Sequence, residues 1–208
     1  MSKFVYVILS LMLCLSTSNH VFAAETVEHD HHVIKNDQQL QTFENEYQSL
    51  SIEELQQVID SSKKVSGVNA IKAAWFAAAQ IARLRGFNLS ATLVEYSLRN
   101  KNYYESNGQF ASAIKKTSVY PSMRKKRNDS VVFTKAMNAD LYYSLHKCSY
   151  SSKGNSRGMR MTVYDTYDFK LEKNVYADLF TKLVNNWAYL SQHMNVLNII
   201  NVSISIDV

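Results

Sequence analysis

The sequence predicts an α+β domain, with helices first and a small antiparallel sheet with one crossing helix afterwards. Three observations predict it. From Asn69 to Arg85, apolar residues (Ile71, Ala74, Trp75, Ala78, Ala79, Ala82) recur at helical spacing. At the other end of the chain, Ile200, Val202, Ile204 and Ile206 alternate with Asn201, Ser203, Ser205 and Asp207, the pattern of a strand with one buried face. Between them, Lys153-Gly154-Asn155-Ser156 reads as a hairpin turn joining Cys148–Ser152 to Gly158–Tyr167. Helical periodicity early and period-two alternation late describe α+β rather than alternating βαβ units. No internal repeat is visible.

Residues 1–23 read as a secretory signal peptide. Lys3 supplies the positive start, Phe4 to Leu15 the apolar run, and Val21 and Ala23 the small-residue exit before Ala24. The apolar run is shorter than the ~20 residues a membrane-spanning helix needs. The expected destination is therefore secreted or periplasmic. Cys14 leaves with this segment, so Cys148 has no partner for an internal disulfide. A lone thiol beside a strand reads first as a small buried residue.

Residues 24–50 are polar and lack a periodic apolar pattern, which predicts a flexible segment. Glu28, His29, Asp30, His31 and His32 lie within it. These side chains can ligate a divalent cation, but a loose segment gives them no fixed geometry, so adventitious binding is the simpler reading. No cofactor is specified by any motif.

The expected domain spans 51–208. Ser51-Ile52-Glu53-Glu54 has the form of a capping box. Ile52, Leu55, Val58 and Ile59 follow on one helical face, and Gly67 breaks the chain. The helix from Asn69 is apolar nearly all round between Ala73 and Ala79, as a buried central helix is. Gly86 is placed to end it. A third helix is expected from Ser90 to Asn100. Asn102-Tyr103-Tyr104 and Ser106-Asn107-Gly108 read as loop. Short helices are expected from Phe110 to Thr117 and from Pro121. Val131 to Phe133 is a strand candidate, and Asn138 an N-cap for Ala139 to Lys147. Val175 to Met194 reads as an amphipathic helix with Leu179, Phe180, Leu183, Val184, Trp187 and Leu190 inward.

Charge is unevenly placed on a chain of formal net charge +5. Residues 24–65 hold nine acids against three lysines, and residues 66–208 hold nineteen Lys and Arg against nine acids. The densest run is Arg124-Lys125-Lys126-Arg127, with Lys115-Lys116 upstream. Such a patch attracts anionic lipid, glycan or phosphate-bearing surfaces. Aromatic residues near it are few, which points away from nucleic acid.

Chemistry is hinted at in Val163-Tyr164-Asp165-Thr166-Tyr167-Asp168-Phe169. If the strand stays regular, Asp165 and Tyr167 continue the inward row of Met159, Met161 and Val163. Tyr164, Thr166 and Asp168 then face outward. An inward carboxylate must be satisfied by Tyr167, His146, a backbone amide or a metal. A bulge near Asp165 would instead turn both acids to solvent. His146, at the end of the helix leading into the neighbouring strand, is the nearest candidate acid. A helix C-terminus also favours histidine through its dipole alone.

These residues carry a resemblance. Asp140-Leu141-Tyr142-Tyr143-Ser144-Leu145-His146, Asp165-Thr166-Tyr167-Asp168-Phe169 and Asn185-Asn186 resemble a C-terminal domain of exported bacterial toxin-like proteins. The Asp-x-Tyr-Asp core is also similar to that of colicin M-type bacteriocins, which cleave the pyrophosphate-linked lipid precursor of peptidoglycan. That family has a His-Arg pair shortly after the motif, whereas Lys170 to Val175 here contains neither residue. Two functions follow as expectations. One is an exported effector or interaction protein with a basic surface for an anionic partner. The other is a phosphodiesterase-like hydrolase. There Asp165 or Asp168 would serve as base or metal ligand, Tyr167 would orient, and His146 would act as acid.

Overall fold

The computed structural model describes residues 68–155, 158–169 and 191–208, together with Thr42, Glu46, Tyr47, 49–51, 53–55, Gln57 and Ala188. The signal peptide at 1–23, the Glu28–His32 cluster, Ile52, Val58, Ile59 and Gly67 lie outside the described residues. So do most of the helix expected from Val175 and the Asn185-Asn186 pair. The chain gathers into two compact units. One contains residues up to Arg85 and Phe169–Asn198, and the other Gly86–Asp168 and Ile199–Val208.

In the first unit, α1 spans Val68–Leu84, and every residue from Ala73 to Ala82 is buried. A helix apolar on all sides has no solvent face to keep, and its alanines let neighbouring elements approach closely. Trp75 satisfies its indole N–H by donating to the Ser191 hydroxyl at 3.0 Å in a buried position. The Phe76 ring meets Tyr47 at 6.1 Å between centroids. The capping box forms as read. The Glu54 amide donates to Ser51 Oγ at 3.3 Å, and the Ser51 amide donates to Glu54 Oε2 at 2.7 Å. The Ser51 contacts hold the Glu54 carboxyl below its ordinary value. Gly86, at φ +86°, takes the left-handed position past the end of α1, where a Cβ is disfavoured.

The second unit is a five-stranded sheet with helices, and the α+β class holds. In chain order it contains α2 (Asn88–Leu98), β1 (Tyr103–Ser106), α3 (Gln109–Lys115) and α4 (Tyr120–Met123). Then come β2 (Asn128–Val132), α5 (Ala139–Ser144), β3 (Lys147–Asn155), β4 (Gly158–Tyr167) and β5 (Ile200–Asp207). The strand order is β1-β5-β4-β3-β2. Strands β2 to β5 pair antiparallel, as the sequence predicts. Asn102 to Tyr104, expected as loop, instead leads into a strand. Tyr103–Ser106 pairs parallel with β5, so the sheet is mixed. Four residues carry too little periodicity to announce a strand, and the partner lies about a hundred positions downstream.

The hairpin is also longer than its turn residues indicate. Lys153 pairs with Arg160, and Asn155 with Gly158, so the strands run through the expected turn. Alternation then sets the two faces. Met161, Val163, Tyr150, Val202, Ile204 and Ile206 are buried on the inner one. On that side α3 packs against β1 and β5 and touches α5, which packs against α2. Phe110, Ile114 and Leu141 on these helices are fully buried.

Two carboxylates hold this layer by capping helices. Asp140 accepts from the Leu89 amide (2.8 Å), the Ser90 amide (2.9 Å) and the Ser90 hydroxyl (2.6 Å), so the first turn of α2 is capped from α5. Asn138 caps α5 as expected, accepting from the Leu141 amide at 3.0 Å. Glu105 accepts from the Phe110 and Ala111 amides at 3.2 and 2.8 Å, and from the Tyr103 hydroxyl at 2.7 Å. A Cβ on Gly108 would stand 2.6 Å from that carboxylate, so glycine is what lets the cap close. Burial and the Glu105 hydrogen bond together push the Tyr103 phenol well above its ordinary range.

Candidate functional site

The four residues singled out from the sequence lie at one end of the β3–β4 pair. Parity holds through the last residue of β4. Asp165 is half-buried on the inner side opposite Val202, and Tyr167 is buried opposite Ile200. Tyr164 and Thr166 between and before them are exposed. The inward carboxylate finds a backbone amide among its partners, since Thr166 N donates to Asp165 Oδ1 at 2.9 Å. Asp168 is not the next outward residue of the strand. β4 ends at Tyr167, and the Asp168 amide turns back to the Thr166 carbonyl at 2.8 Å, leaving the residue half-buried.

Ser149 pairs with Tyr164, so one step along the ladder brings Cys148 beside Asp165. Cys148 is a buried free thiol, as expected of a small core residue. Burial, with the Asp165 carboxylate adding to it, pushes that thiol well above its ordinary range. A thiol held neutral by burial is a poor nucleophile.

His146 ends α5 in the left-handed conformation, at φ +38°. Its amide donates to the Leu141 carbonyl at 3.2 Å, and its carbonyl accepts from the Phe133 amide at 2.7 Å. It thus closes the helix and opens β3 in one residue. Its half-buried ring stands edge-on to Tyr142 at 5.0 Å. Tyr142 meets Tyr143 at 5.2 Å, and Tyr143 meets Phe87 at 5.8 Å. Lys135 Nζ lies 5.3 Å from the Tyr142 ring and 5.1 Å from the Tyr143 ring, within cation–π range. This cluster was not foreseen. The adjacent tyrosines and His146 were visible in one helix, but Lys135 and Phe87 reach them from separate segments.

Among the described residues no group of three or more His, Cys, Asp and Glu side chains is arranged to hold a metal ion. No described helix is long and apolar enough to cross a membrane.

The basic run occupies a different part of the unit. Arg124, Lys125, Lys126 and Arg127 follow the short helix α4, and all four are exposed. Lys115 and Lys116 at the end of α3 are exposed as well. Met123 is buried just ahead of the run, and the Arg127 carbonyl accepts from the Ser152 amide at 2.6 Å behind it. The cations are thus presented from a backbone fixed at both ends. Lys126 pairs with Asp129 at 2.5 Å, a pair that raises the lysine and lowers the carboxyl. Arg124, Lys125 and Arg127 make no ion pair among the described residues. Comparison with protein-family models, with curated proteins and with solved structures finds no match for this chain.

Proposed function

We propose that this chain is an exported, effector-like interaction protein whose basic surface binds an anionic partner. The observation that supports the reading is the exposure of the whole Arg124–Arg127 run, in which Lys126 alone makes an ion pair among the described residues, with Asp129. Exposed cations without intramolecular partners raise the local potential and speed the encounter with anions. A surface pair such as Lys126–Asp129 takes little from that potential. Tyr120, the aromatic residue nearest the run in sequence, is half-buried, and the Tyr150 ring beside Lys126 is buried, so among the described residues no row of exposed rings accompanies the cations to stack on bases. Phosphate, carboxylate or sulfate groups on a lipid or polymer are the partners this chemistry fits.

The test reverses three charges together, Arg124→Glu, Lys125→Glu and Arg127→Glu. Binding to phosphatidylglycerol vesicles and to polyphosphate is followed across a salt series. The wild-type protein is expected to bind with an affinity that falls as salt rises, and the triple variant to lose at least about tenfold, with a shallower salt slope. Wild-type binding indifferent to salt, or a triple variant that binds as well as the parent, would sink the reading.

A further inference from the structure

The outward face of the sheet carries rows of hydroxyl side chains and two exposed tyrosines. One row crosses all five strands as Tyr104, Ser203, Tyr164, Ser149 and Ser130, each paired with the next. Tyr104 is 69% exposed and Tyr164 48%. Two strand spacings separate them, about 10 Å. The residue between is a serine, so nothing bulky stands between the rings. Neither tyrosine makes a ring contact or a side-chain hydrogen bond among the described residues. The next row continues the theme with Ser205, Thr162 and Ser151, paired in that order. The hydroxyls of these residues, and of Ser203 and Ser149, make no hydrogen bond among the described residues.

The charge on this face has one sign to spare. Asp207, its carboxylate, is held by Arg160 at 2.7 Å and by Asn107 at 2.7 Å. These contacts keep the Asp207 carboxyl below its ordinary value. Lys147 and Lys153 stand exposed at opposite ends of β3, about 20 Å apart along the strand, with no ion pair among the described residues.

We propose that this open face binds an acidic polysaccharide. The sugar rings stack on Tyr104 and Tyr164, the sugar hydroxyls exchange hydrogen bonds with the serine and threonine rows, and the acid groups lie toward Lys147 and Lys153. A phenol ring offers an apolar face with a polar tip, which suits a ligand whose CH faces alternate with hydroxyls. A stable protein partner would ask for a contiguous apolar centre, and among the described residues this face offers Val132 as its one exposed aliphatic side chain. The inference goes beyond the basic run, none of whose residues it uses, and rests on the anionic-partner reading only for the sign of the ligand's charge.

The experiment compares the whole protein on polygalacturonate and hyaluronate, which are acidic sugars, with poly-L-glutamate, which is acidic without sugar rings. Affinities are measured by calorimetry at one fixed salt concentration. The expected result is at least tenfold tighter binding to one of the two glycans than to poly-L-glutamate. Replacing both Tyr104 and Tyr164 with alanine should remove that advantage while leaving poly-L-glutamate binding and the thermal midpoint unchanged. Replacing both with phenylalanine should preserve most of it. Equal binding to all three polymers, no binding to either glycan, or an alanine pair that binds the glycan like the parent would overturn the proposal. Failure of the basic-run reading looks different, since the triple charge reversal would then leave poly-L-glutamate binding intact.

Discussion

On the inner side of β4, Met161 and Val163 are fully buried, while Tyr164, the next residue along, stands 48% exposed on the open side. The two faces differ in what they do with polar groups. On the inner side three carboxylates are put to use by backbone amides. Asp165 receives Thr166, Asp140 receives Leu89 and Ser90, and Glu105 receives Phe110 and Ala111. On the open side the hydroxyls of Ser149, Ser151, Thr162, Ser203 and Ser205 have no partner among the described residues. A polar group facing the core must be satisfied within the chain or it costs free energy, whereas one facing solvent can be left for a ligand. The difference teaches where to look for function. The acidic motif that drew attention in the sequence is half inner face, and its outward neighbour Tyr164 belongs to the surface that can meet something else.

The contrast breaks most severely from the inner side. Met161→Ala removes a fully buried side chain from the centre of the sheet and is expected to cost about 2–5 kcal/mol, read as a lower urea midpoint with an unchanged slope. If that variant unfolds like the parent, the inner face is not the packed one. The next effect belongs to the helical layer. Asp140→Ala strips the cap from α2 and is expected to cost about 2 kcal/mol, near the upper end for a helix cap. Asp140→Asn, which keeps one acceptor oxygen, should recover part of it. An alanine variant with the parent's stability would mean that water replaces the cap at no cost.

The smallest effect sharpens the comparison through pH. Cys148 is held neutral in the fold by burial and by Asp165, while an unfolded thiol ionises near pH 8.5. The folded value is raised, so its contribution is fully present below the unfolded value and is lost as pH rises past it. Stability should therefore fall between about pH 8.5 and 10, by at most about 1.4 kcal/mol per pH unit from this one group. Cys148→Ala should flatten that slope, and the native thiol should resist a colorimetric disulfide reagent until the protein unfolds. A slope identical in the variant, or rapid reaction of the folded protein, would show that the thiol is reached by solvent.

Local structure was legible in the sequence where alternation and helix caps carry it. Alternation along Gly158–Tyr167 and Ile200–Asp207 named the buried face of both strands, including the inward setting of Asp165 and Tyr167. The Ser51–Glu54 box, the Asn138 cap and the Gly86 stop depend on residues within a few positions of one another, so their chemistry is readable in line. Tertiary structure alone decided what depends on distant partners. Tyr103–Ser106 is a strand because β5 offers it a parallel edge, and only that pairing sets Tyr104 and Tyr164 in one row. Asp140 stands out in the sequence as part of a motif, yet its carboxylate is spent on amides some fifty positions upstream. The turn residues at Lys153 and Gly154 were overruled because cross-strand bonds on both sides kept the hairpin paired through them. Local patterns record which side of an element is apolar. Which elements meet is decided by the free energy of burying those sides together, a sum that no short stretch of chain contains.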